Sequence, residues 1–136
     1  MRIFLDANVL FSAAKSNGAV RRLLALLVEA GHECWVDGYV VEEARRNLVA
    51  KAPEGVPVLN ALLARVHLAA VHPPAGTSEA ALVLPEKDRP VLAAAIRLEC
   101  GALVTGDRTH FGAFYGKTLG GVTIYSPSLA AKALVA

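Results

Sequence analysis

The sequence lacks the features that mark membrane, secreted and disordered proteins. No apolar run approaches the roughly 20 residues that a membrane-spanning helix needs. The best candidate, residues 23–36, is interrupted by two glutamates and a histidine. Asp6 and Asn8 likewise break the apolar stretch that a signal peptide would need near the N-terminus. Hydrophobic residues make up 54% of the chain and charged residues only 19%, which excludes a disordered protein. We therefore expect a cytoplasmic, globular protein.

Cysteine and net charge are also scarce. The two cysteines, Cys34 and Cys100, lie far apart in apolar segments and lack the spacing of a metal site. We expect them to be buried free thiols. A net charge of +2 permits nucleic-acid binding but does not indicate it. The sequence shows no repeats and no linker, and 136 residues fit one domain, which we expect to span residues 1–136.

Short apolar segments alternate with helical patterns along the chain. Strands are predicted at 2–5, 33–36, 67–71, 102–105 and 122–125, although 67–71 could instead extend the helix before it. Helices are predicted at 8–16, 19–31, 38–52 and 56–66, within 79–101, and at 126–135. Loops are predicted at 72–78 and 106–121, the second with one helical turn. This alternation predicts an α/β protein with a largely parallel sheet of about four or five strands.

Acidic residues fall where two strands are expected to end. Asp6 directly follows the first predicted strand, and Asp107 follows the fourth after one glycine. Ligands of parallel sheets bind beyond the carboxyl ends of the strands, and carboxylates that meet there need a cation. Asp88 and one of Glu42 and Glu43 could join them from helices. A cluster of this kind suits Mg²⁺ or Mn²⁺, which can activate water and offset charge on a phosphodiester.

Each acid also has a purely structural interpretation. Gly-Asp is common turn chemistry, which would explain Asp107. The helix dipole favours an acid at the position of Asp88, and Asp6 could cap the following helix. At least one of Glu42 and Glu43 is expected to be a solvated helix charge. The joint placement of the acids, rather than any one of them, favours a metal site.

Four segments resemble, in order, the motifs of PIN-domain ribonucleases, and especially of the toxins of VapBC-type toxin–antitoxin pairs. The segments are FLDANVLFSA, VVEEARRNL, KDRPVLAAA and LVTGDRTHF, and together they span residues 4 to 111. By resemblance, the catalytic and metal-binding acids are Asp6, Glu43, Asp88 and Asp107, and the residues that orient them are Asn8 and Thr105. Two departures alter the local pattern without removing an acid. Asp37 stands where Ser or Thr often precedes the second acid, and Pro90 lies unusually close to the third.

The resemblance implies a fold, a reaction and partners. The fold is a PIN-like three-layer α/β/α domain with a central, largely parallel sheet. The reaction is hydrolysis of single-stranded RNA with one or two Mg²⁺ or Mn²⁺ ions. One acid, Asp88 or Asp107, is expected to act through water or as a general base, and the sequence leaves that choice open. The resemblance further implies a homodimer and a groove for an antitoxin segment.

Contacts with RNA are expected from basic residues near the acids in sequence. These are Arg45, Arg46, Arg108 and Lys117. For each of them taken alone a solvated charge is the favoured interpretation, and the two helical arginines could pair with Glu42. Tyr39 and Tyr115 could stack on bases, but ordinary packing is expected. We expect His110 to be polar surface rather than a catalytic residue.

Three other functions fit part of the pattern. A catalytically inactive PIN-like domain that binds RNA or scaffolds a partner would not need clustered negative charge. A housekeeping RNA-processing nuclease would use the same site as a toxin. A phosphotransferase with Asp6 as nucleophile would be expected to carry an acid at position 8, which is Asn8. Nucleotide binding is disfavoured because no Gly-rich phosphate loop follows the first strand.

Overall fold

The computed structural model describes residues 1–71 and 79–135, and the predicted loop at 72–78 lies outside them. Its strands are β1 (Arg2–Leu5), β2 (Glu33–Asp37), β3 (His67–Ala69), β4 (Ala102–Val104), β5 (Thr118–Leu119) and β6 (Val122–Tyr125). Its α-helices are α1 (Ala7–Lys15), α2 (Ala19–Glu29), α3 (Gly38–Lys51), α4 (Val56–Leu63), α5 (Arg89–Arg97), α6 (Arg108–Phe111) and α7 (Pro127–Ala130). Short 3₁₀ turns span Pro53–Gly55, Glu79–Val83, Glu86–Asp88 and Gly112–Phe114, and a π-helical turn spans Ala131–Val135.

The strands form one sheet in the order β3-β2-β1-β4-β6-β5. All neighbours in the sheet are parallel except β5, which pairs antiparallel with β6. β1 therefore lies between β2 and β4, and its last residue, Leu5, pairs with Val104 at the end of β4. The residues that follow β1 and β4 consequently emerge side by side at one edge of the sheet.

Helices cover both faces of this sheet. Successive strand residues point to opposite faces, and Ile3, Phe4 and Leu5 are all fully buried. The same holds along β4 from Ala102 to Val104. Burial on both faces is typical of parallel sheets with helical layers above and below. The predicted three-layer α/β/α fold is confirmed.

Local sequence explains where the main helices begin and end. Helix α2 buries Leu23, Leu24 and Leu27 on one stripe, and the chain turns after it at Gly31, whose φ is +89°. Helix α3 begins after Asp37, whose Oδ1 accepts a hydrogen bond from the backbone N–H of Val40 at 3.1 Å. Both boundaries were expected from the sequence.

The structure differs from the expectation in a few elements. The segment 67–71 contains a strand and does not extend α4. The described residues contain six strands, whereas the sequence predicted five. The additional strand, β5, was missed because it is only two residues long and too short to show a periodic pattern. Residues 79–97 form two 3₁₀ turns and then α5, with Pro85 ahead of the second turn and Pro90 in the first turn of the helix.

Two further expectations concern the buried thiols and the membrane. Cys34 and Cys100 are both free and buried. In the part of the chain that the structure describes, no helix is long and apolar enough to cross a bilayer.

Candidate functional site

The first acid, Asp6, lies at the edge where β1 and β4 end. Its backbone N–H donates to the carbonyl of Val104 at 3.0 Å, which continues the pairing of β1 with β4. The side chain is only 5% exposed, and its Oδ1 accepts from the N–H of Ala7 at 2.8 Å. Asp6 thus does cap α1, as its structural interpretation predicted, but capping occupies only one of its two oxygens.

The second oxygen of Asp6 belongs to a small polar network. Thr105, which is fully buried, donates its hydroxyl to Asp6 Oδ2 at 2.8 Å. Asn8 Nδ2 lies 3.4 Å from the same oxygen, and its Oδ1 accepts from the N–H of Gly106 at 2.8 Å. The N–H of Asp107 donates to Thr105 Oγ1 at 3.2 Å. Asn8 and Thr105 therefore link the first predicted motif to the fourth and restrict the rotation of the Asp6 carboxylate.

The other two aspartates meet at His110. Nδ1 of His110 lies 2.8 Å from Asp107 Oδ2 and 2.9 Å from Asp88 Oδ2. The ligand atoms of these three residues all lie within 4.8 Å of one another. Asp107 also caps α6, because its Oδ1 accepts from the backbone N–H of His110 at 3.2 Å. A carboxylate–carboxylate–imidazole group of this kind has the donor chemistry of a metal site.

Asp88 is the least satisfied of the acids. It is 7% exposed, it precedes α5, and its side chain makes no capping hydrogen bond to that helix. Although Asp88 Oδ2 is near His110 Nδ1, it accepts no hydrogen bond from any residue that the structure describes. The helix-start interpretation therefore does not explain this side chain, and a buried carboxylate oxygen without a donor is unfavourable.

Glu43 contributes through its charge. It is half-buried on α3, whereas Glu42 is exposed, in agreement with the preference of the motif for Glu43. The negative charge of Glu43 helps to raise the pKa of both Asp6 and Asp88. Among the described residues, neither Asp6 nor Glu43 belongs to the tight group around His110. The four predicted acids thus share one electrostatic environment, and among the described residues Asp88 and Asp107 are the two that join His110 in a tight group.

The electrostatics of this edge favour a cation. Burial raises the pKa of Asp6 to about 6, against the hydrogen bonds from Thr105 and Ala7 and with the help of the charges of Glu43 and Asp88. Burial also raises the pKa of Asp88, while His110 lowers it and Asp107 raises it. In each case the ionised carboxylate is destabilised by its surroundings. A divalent ion would reverse this effect, so the residues present fit a metal.

The predicted basic and aromatic residues have separate positions. Arg45 donates to Asn60 Oδ1 at 3.0 Å on the protein surface. Three other predicted RNA contacts are exposed, namely Arg46, Arg108 and Lys117. The hydroxyls of Tyr39 and Tyr115 donate to the carbonyls of Lys87 and Thr105, at 2.9 and 2.8 Å. These two half-buried tyrosines therefore pack and tie down the backbone next to Asp88 and Asp107, as expected.

His110 is the residue that sequence reasoning placed wrongly. Its side chain is 28% exposed and contacts two of the predicted acids, so it is part of the site rather than plain polar surface. The available signal was its spacing of three residues from Asp107 at a helix start, which brings the two side chains together. Its contact with Asp88 depends on how α5 packs, and no local pattern reports that.

Comparison with known proteins agrees with the order of the motifs. The chain matches the family model of the PIN domain over residues 2–109. Among solved structures, its fold is similar to the crystal structure of VapBC2 from Rickettsia felis bound to a DNA fragment from their promoter. The TM-score is 0.66 at 14% sequence identity, and the match covers 93% of this chain and 98% of that chain. A sequence search against curated proteins gives no significant match.

Proposed function

The chain belongs to the PIN-domain family, and we propose that it is a divalent-metal-dependent endoribonuclease that hydrolyses phosphodiester bonds in RNA. We assign this activity to a single PIN-like nuclease domain over residues 1–136. The observation that carries the proposal is Asp88 Oδ2, a buried carboxylate oxygen that no described residue hydrogen-bonds, beside Asp107 and His110. An unmet carboxylate next to a second carboxylate supports a cation site at this edge of the sheet.

The ion would be held by Asp6, Glu43, Asp88 and Asp107, as one or two Mg²⁺ or Mn²⁺. When bound, it supplies a water molecule of lowered pKa and offsets charge on the phosphate. Carboxylate oxygens are the ligands that these hard cations prefer. Burial, and then the charges of Glu43 and Asp88, raise the pKa of Asp6 to about 6. A cation beside Asp6 would stabilise its ionised form, so the raised pKa supports the same assignment.

Residues of the chain position the acids and move the proton. Thr105 and Asn8 hold Asp6 in one orientation, since both contact its Oδ2. Asp107 is restrained through both oxygens by His110. We assign the role of general base to Asp88 or Asp107, the two acids whose oxygens lie in the tight group at His110 and therefore nearest to a water molecule on the ion.

RNA has to approach an acidic site against its own charge. We assign its phosphate contacts to the exposed basic residues that lie near the acids in sequence, which are Arg45, Arg46, Arg108 and Lys117. Arg108 has the strongest support: it directly follows Asp107 and helps to lower the pKa of Tyr115, which burial raises. Tyr115 in turn bonds the carbonyl of Thr105 at 2.8 Å, so Arg108 is close to the site. Phosphate contacts of this type position a nucleic acid without reading its sequence.

We further propose that the protein is the toxin of a toxin–antitoxin pair and that a small antitoxin protein binds it. Beside α2 lies a groove of about 660 Å³. Its lining includes the apolar residues Leu24, Val28, Leu62 and Val66, and its three arginines, Arg21, Arg22 and Arg65, outnumber its one acid, Glu29. Apolar lining with basic residues suits an amphipathic, acidic helix of a partner. The Rickettsia felis structure with a similar fold is itself a VapBC2 assembly bound to promoter DNA. A homodimer and a cytoplasmic location complete the proposal.

Cleavage of a panel of single-stranded and structured RNAs by the purified protein tests the nuclease proposal. We expect cutting with Mn²⁺ or Mg²⁺ that stops in EDTA, returns when metal is restored, and is lost in Asp6→Asn. Asp37→Asn is the matched control, because Asp37 is equally buried and also caps a helix. Cutting that resists EDTA or survives in Asp6→Asn would contradict the proposal. Absence of both cutting and metal binding would favour the scaffold alternative.

A further inference from the structure

We propose that His110 is itself a ligand of the divalent ion and that it makes the site prefer Mn²⁺ to Mg²⁺. This inference rests on the proposed metal site, and it concerns a residue outside the set of acids that the family resemblance supplied. It depends on three observations: the distances between the donor atoms, the number of protons available to them, and the chemical type of the third donor.

The distances suit atoms that share one ion. His110 Nδ1 lies 2.8 Å from Asp107 Oδ2 and 2.9 Å from Asp88 Oδ2. Neighbouring ligand atoms of a six-coordinate ion with bonds of about 2.1 Å are about 3.0 Å apart. The separations between the imidazole nitrogen and the two carboxylate oxygens are therefore already close to those of a shared coordination sphere.

His110 Nδ1 can supply one proton to two carboxylates, so one of them is left without a hydrogen-bond donor. A single ring nitrogen carries at most one proton and can direct it at one acceptor. The short contact of Nδ1 with Asp107 Oδ2 is a hydrogen bond, whereas Asp88 Oδ2 remains buried and accepts no hydrogen bond within the described residues. A proton on Nδ1 that is directed at Asp107 therefore leaves Asp88 Oδ2 without a hydrogen bond. An ion contacted by Asp88, Asp107 and the Nδ1 lone pair would satisfy all three.

Two contacts with Asp107 hold the His110 ring beside the two carboxylates. Its backbone N–H donates to Asp107 Oδ1 at 3.2 Å, and its ring contacts the other oxygen of the same carboxylate. The His110 side chain is 28% exposed, whereas the Asp88 side chain beside it is 10% exposed. A donor fixed through its neighbour in this way loses little freedom on binding an ion.

The nitrogen ligand decides between the two ions. Mg²⁺ prefers oxygen ligands and keeps much of its water. Mn²⁺ also favours carboxylates, but as a first-row transition ion it accepts an imidazole nitrogen more readily than Mg²⁺ does, so replacing one oxygen ligand by nitrogen shifts the preference toward Mn²⁺. We infer that a set of two carboxylates and one imidazole binds Mn²⁺ more tightly than the carboxylates alone would, with little gain for Mg²⁺.

Calorimetric titration with Mn²⁺ and with Mg²⁺ tests the preference on wild type, His110→Asn and His67→Asn. His67 is a suitable control because it is exposed and stacks on Trp35, away from the acids. We expect His110→Asn to weaken Mn²⁺ binding by about tenfold or more, as loss of one ligand-shell interaction commonly does. Its Mg²⁺ affinity and both affinities of His67→Asn should change much less. Circular dichroism establishes that each variant is folded.

Pulsed electron paramagnetic resonance of the bound Mn²⁺ gives a direct readout of the ligand. We expect coupling to an imidazole nitrogen in wild type and in His67→Asn, and its loss in His110→Asn. Mn²⁺ binding without nitrogen coupling, or an unchanged ratio of Mn²⁺ to Mg²⁺ affinity in His110→Asn, would overturn the role of His110 alone. Failure of wild type to bind either ion would overturn the proposed metal site as well.

Discussion

Asp6 and Asp37 are two aspartates with nearly the same local structure. Asp6 directly follows β1, whereas Asp37 is the last residue of the neighbouring strand β2, and each side chain caps the helix that comes next. They are 5% and 4% exposed, and burial raises the pKa of both. A local description based on strand end, cap and burial therefore cannot tell one from the other.

Their neighbours separate them. Around Asp6, Glu43 and Asp88 add negative charge, whereas the charge that acts on Asp37 is the positive Arg97, which lowers its pKa. The second oxygen of Asp6 also accepts a hydrogen bond from the Thr105 hydroxyl, which in turn accepts one from the N–H of Asp107. Burial and capping are thus explained by the fold at both positions, but only Asp6 belongs to a surplus of negative charge. That surplus is the physical basis for a metal site.

The largest expected difference between the two aspartates is in stability without metal. Because burial raises the pKa of Asp6 from 3.8 to about 6, its ionisation in the folded protein costs about 3 kcal/mol relative to the unfolded chain. In EDTA at pH 7.5 we expect Asp6→Asn to raise the free energy of unfolding by up to about that amount. Asn keeps the cap of α1. Asp37→Asn should stabilise less, since Arg97 opposes the effect of burial.

The pH dependence gives the sign of this effect. A raised folded-state pKa means that the wild type loses stability as the pH rises from about 4 to about 6. The advantage of Asp6→Asn should therefore vanish below pH 4 and reach its full size above pH 6. Guanidinium unfolding of both variants and wild type across this range measures it. An Asp6→Asn variant less stable than wild type at pH 7.5 would show that the carboxylate is not electrostatically strained.

The next largest effect concerns the network that joins Asp6 to the fourth motif. Thr105→Val keeps the shape of the buried side chain but removes the hydroxyl that donates to Asp6 and accepts from Asp107. We expect RNA cleavage and metal affinity to fall by roughly 10–100-fold, the usual result of removing a group that orients ligands. Thr123→Val is the control, because within residues 1–71 and 79–135 the Thr123 hydroxyl pairs with Thr118 near the edge of the sheet and with no other side chain. Equal activity in the two variants would show that the Thr105 hydroxyl does not orient the acids.

The smallest effect concerns the basic residues around the acids. Arg108→Gln should raise the KM for RNA and leave kcat nearly unchanged, because a phosphate contact binds substrate without entering the reaction. The salt dependence of binding to single-stranded RNA should weaken by about 0.7 in its logarithmic slope. Arg2→Gln is the control, since Arg2 lies at the amino-terminal end of β1, whereas the acids lie beyond its carboxyl end. An unchanged salt slope in Arg108→Gln would place the RNA elsewhere.

Sequence patterns were sufficient for the positions of the strand ends. The first and fourth predicted strands end where β1 and β4 do, to within one residue, so the emergence of Asp6 and Asp107 at one edge could be expected. This works because a buried parallel strand reads as a short apolar run with clear ends. The cap at Asp37 was equally readable, since capping depends on a few adjacent residues.

Contacts between distant elements were not readable in this way. The sequence could not show that His110 lies between Asp88 and Asp107, because that depends on how α5 and α6 pack against the sheet. Nor could it show that Asp6 and Glu43 stand outside the tight group that the other two acids form. The two-residue strand β5 was missed because it is too short to show a periodic pattern, although Gly120-Gly121 is a hairpin signal.

The most direct test of the central claim is the stabilisation of the folded protein by Mn²⁺, measured on wild type, Asp88→Asn and Asp37→Asn. Ligand at 100 times its dissociation constant stabilises a protein by about 2.7 kcal/mol. We predict a gain of that order for wild type and Asp37→Asn, and almost none for Asp88→Asn, which has lost the unmet carboxylate. The same Mn²⁺-induced gain in all three proteins, or none in any, would contradict a metal site at the end of β1 and β4.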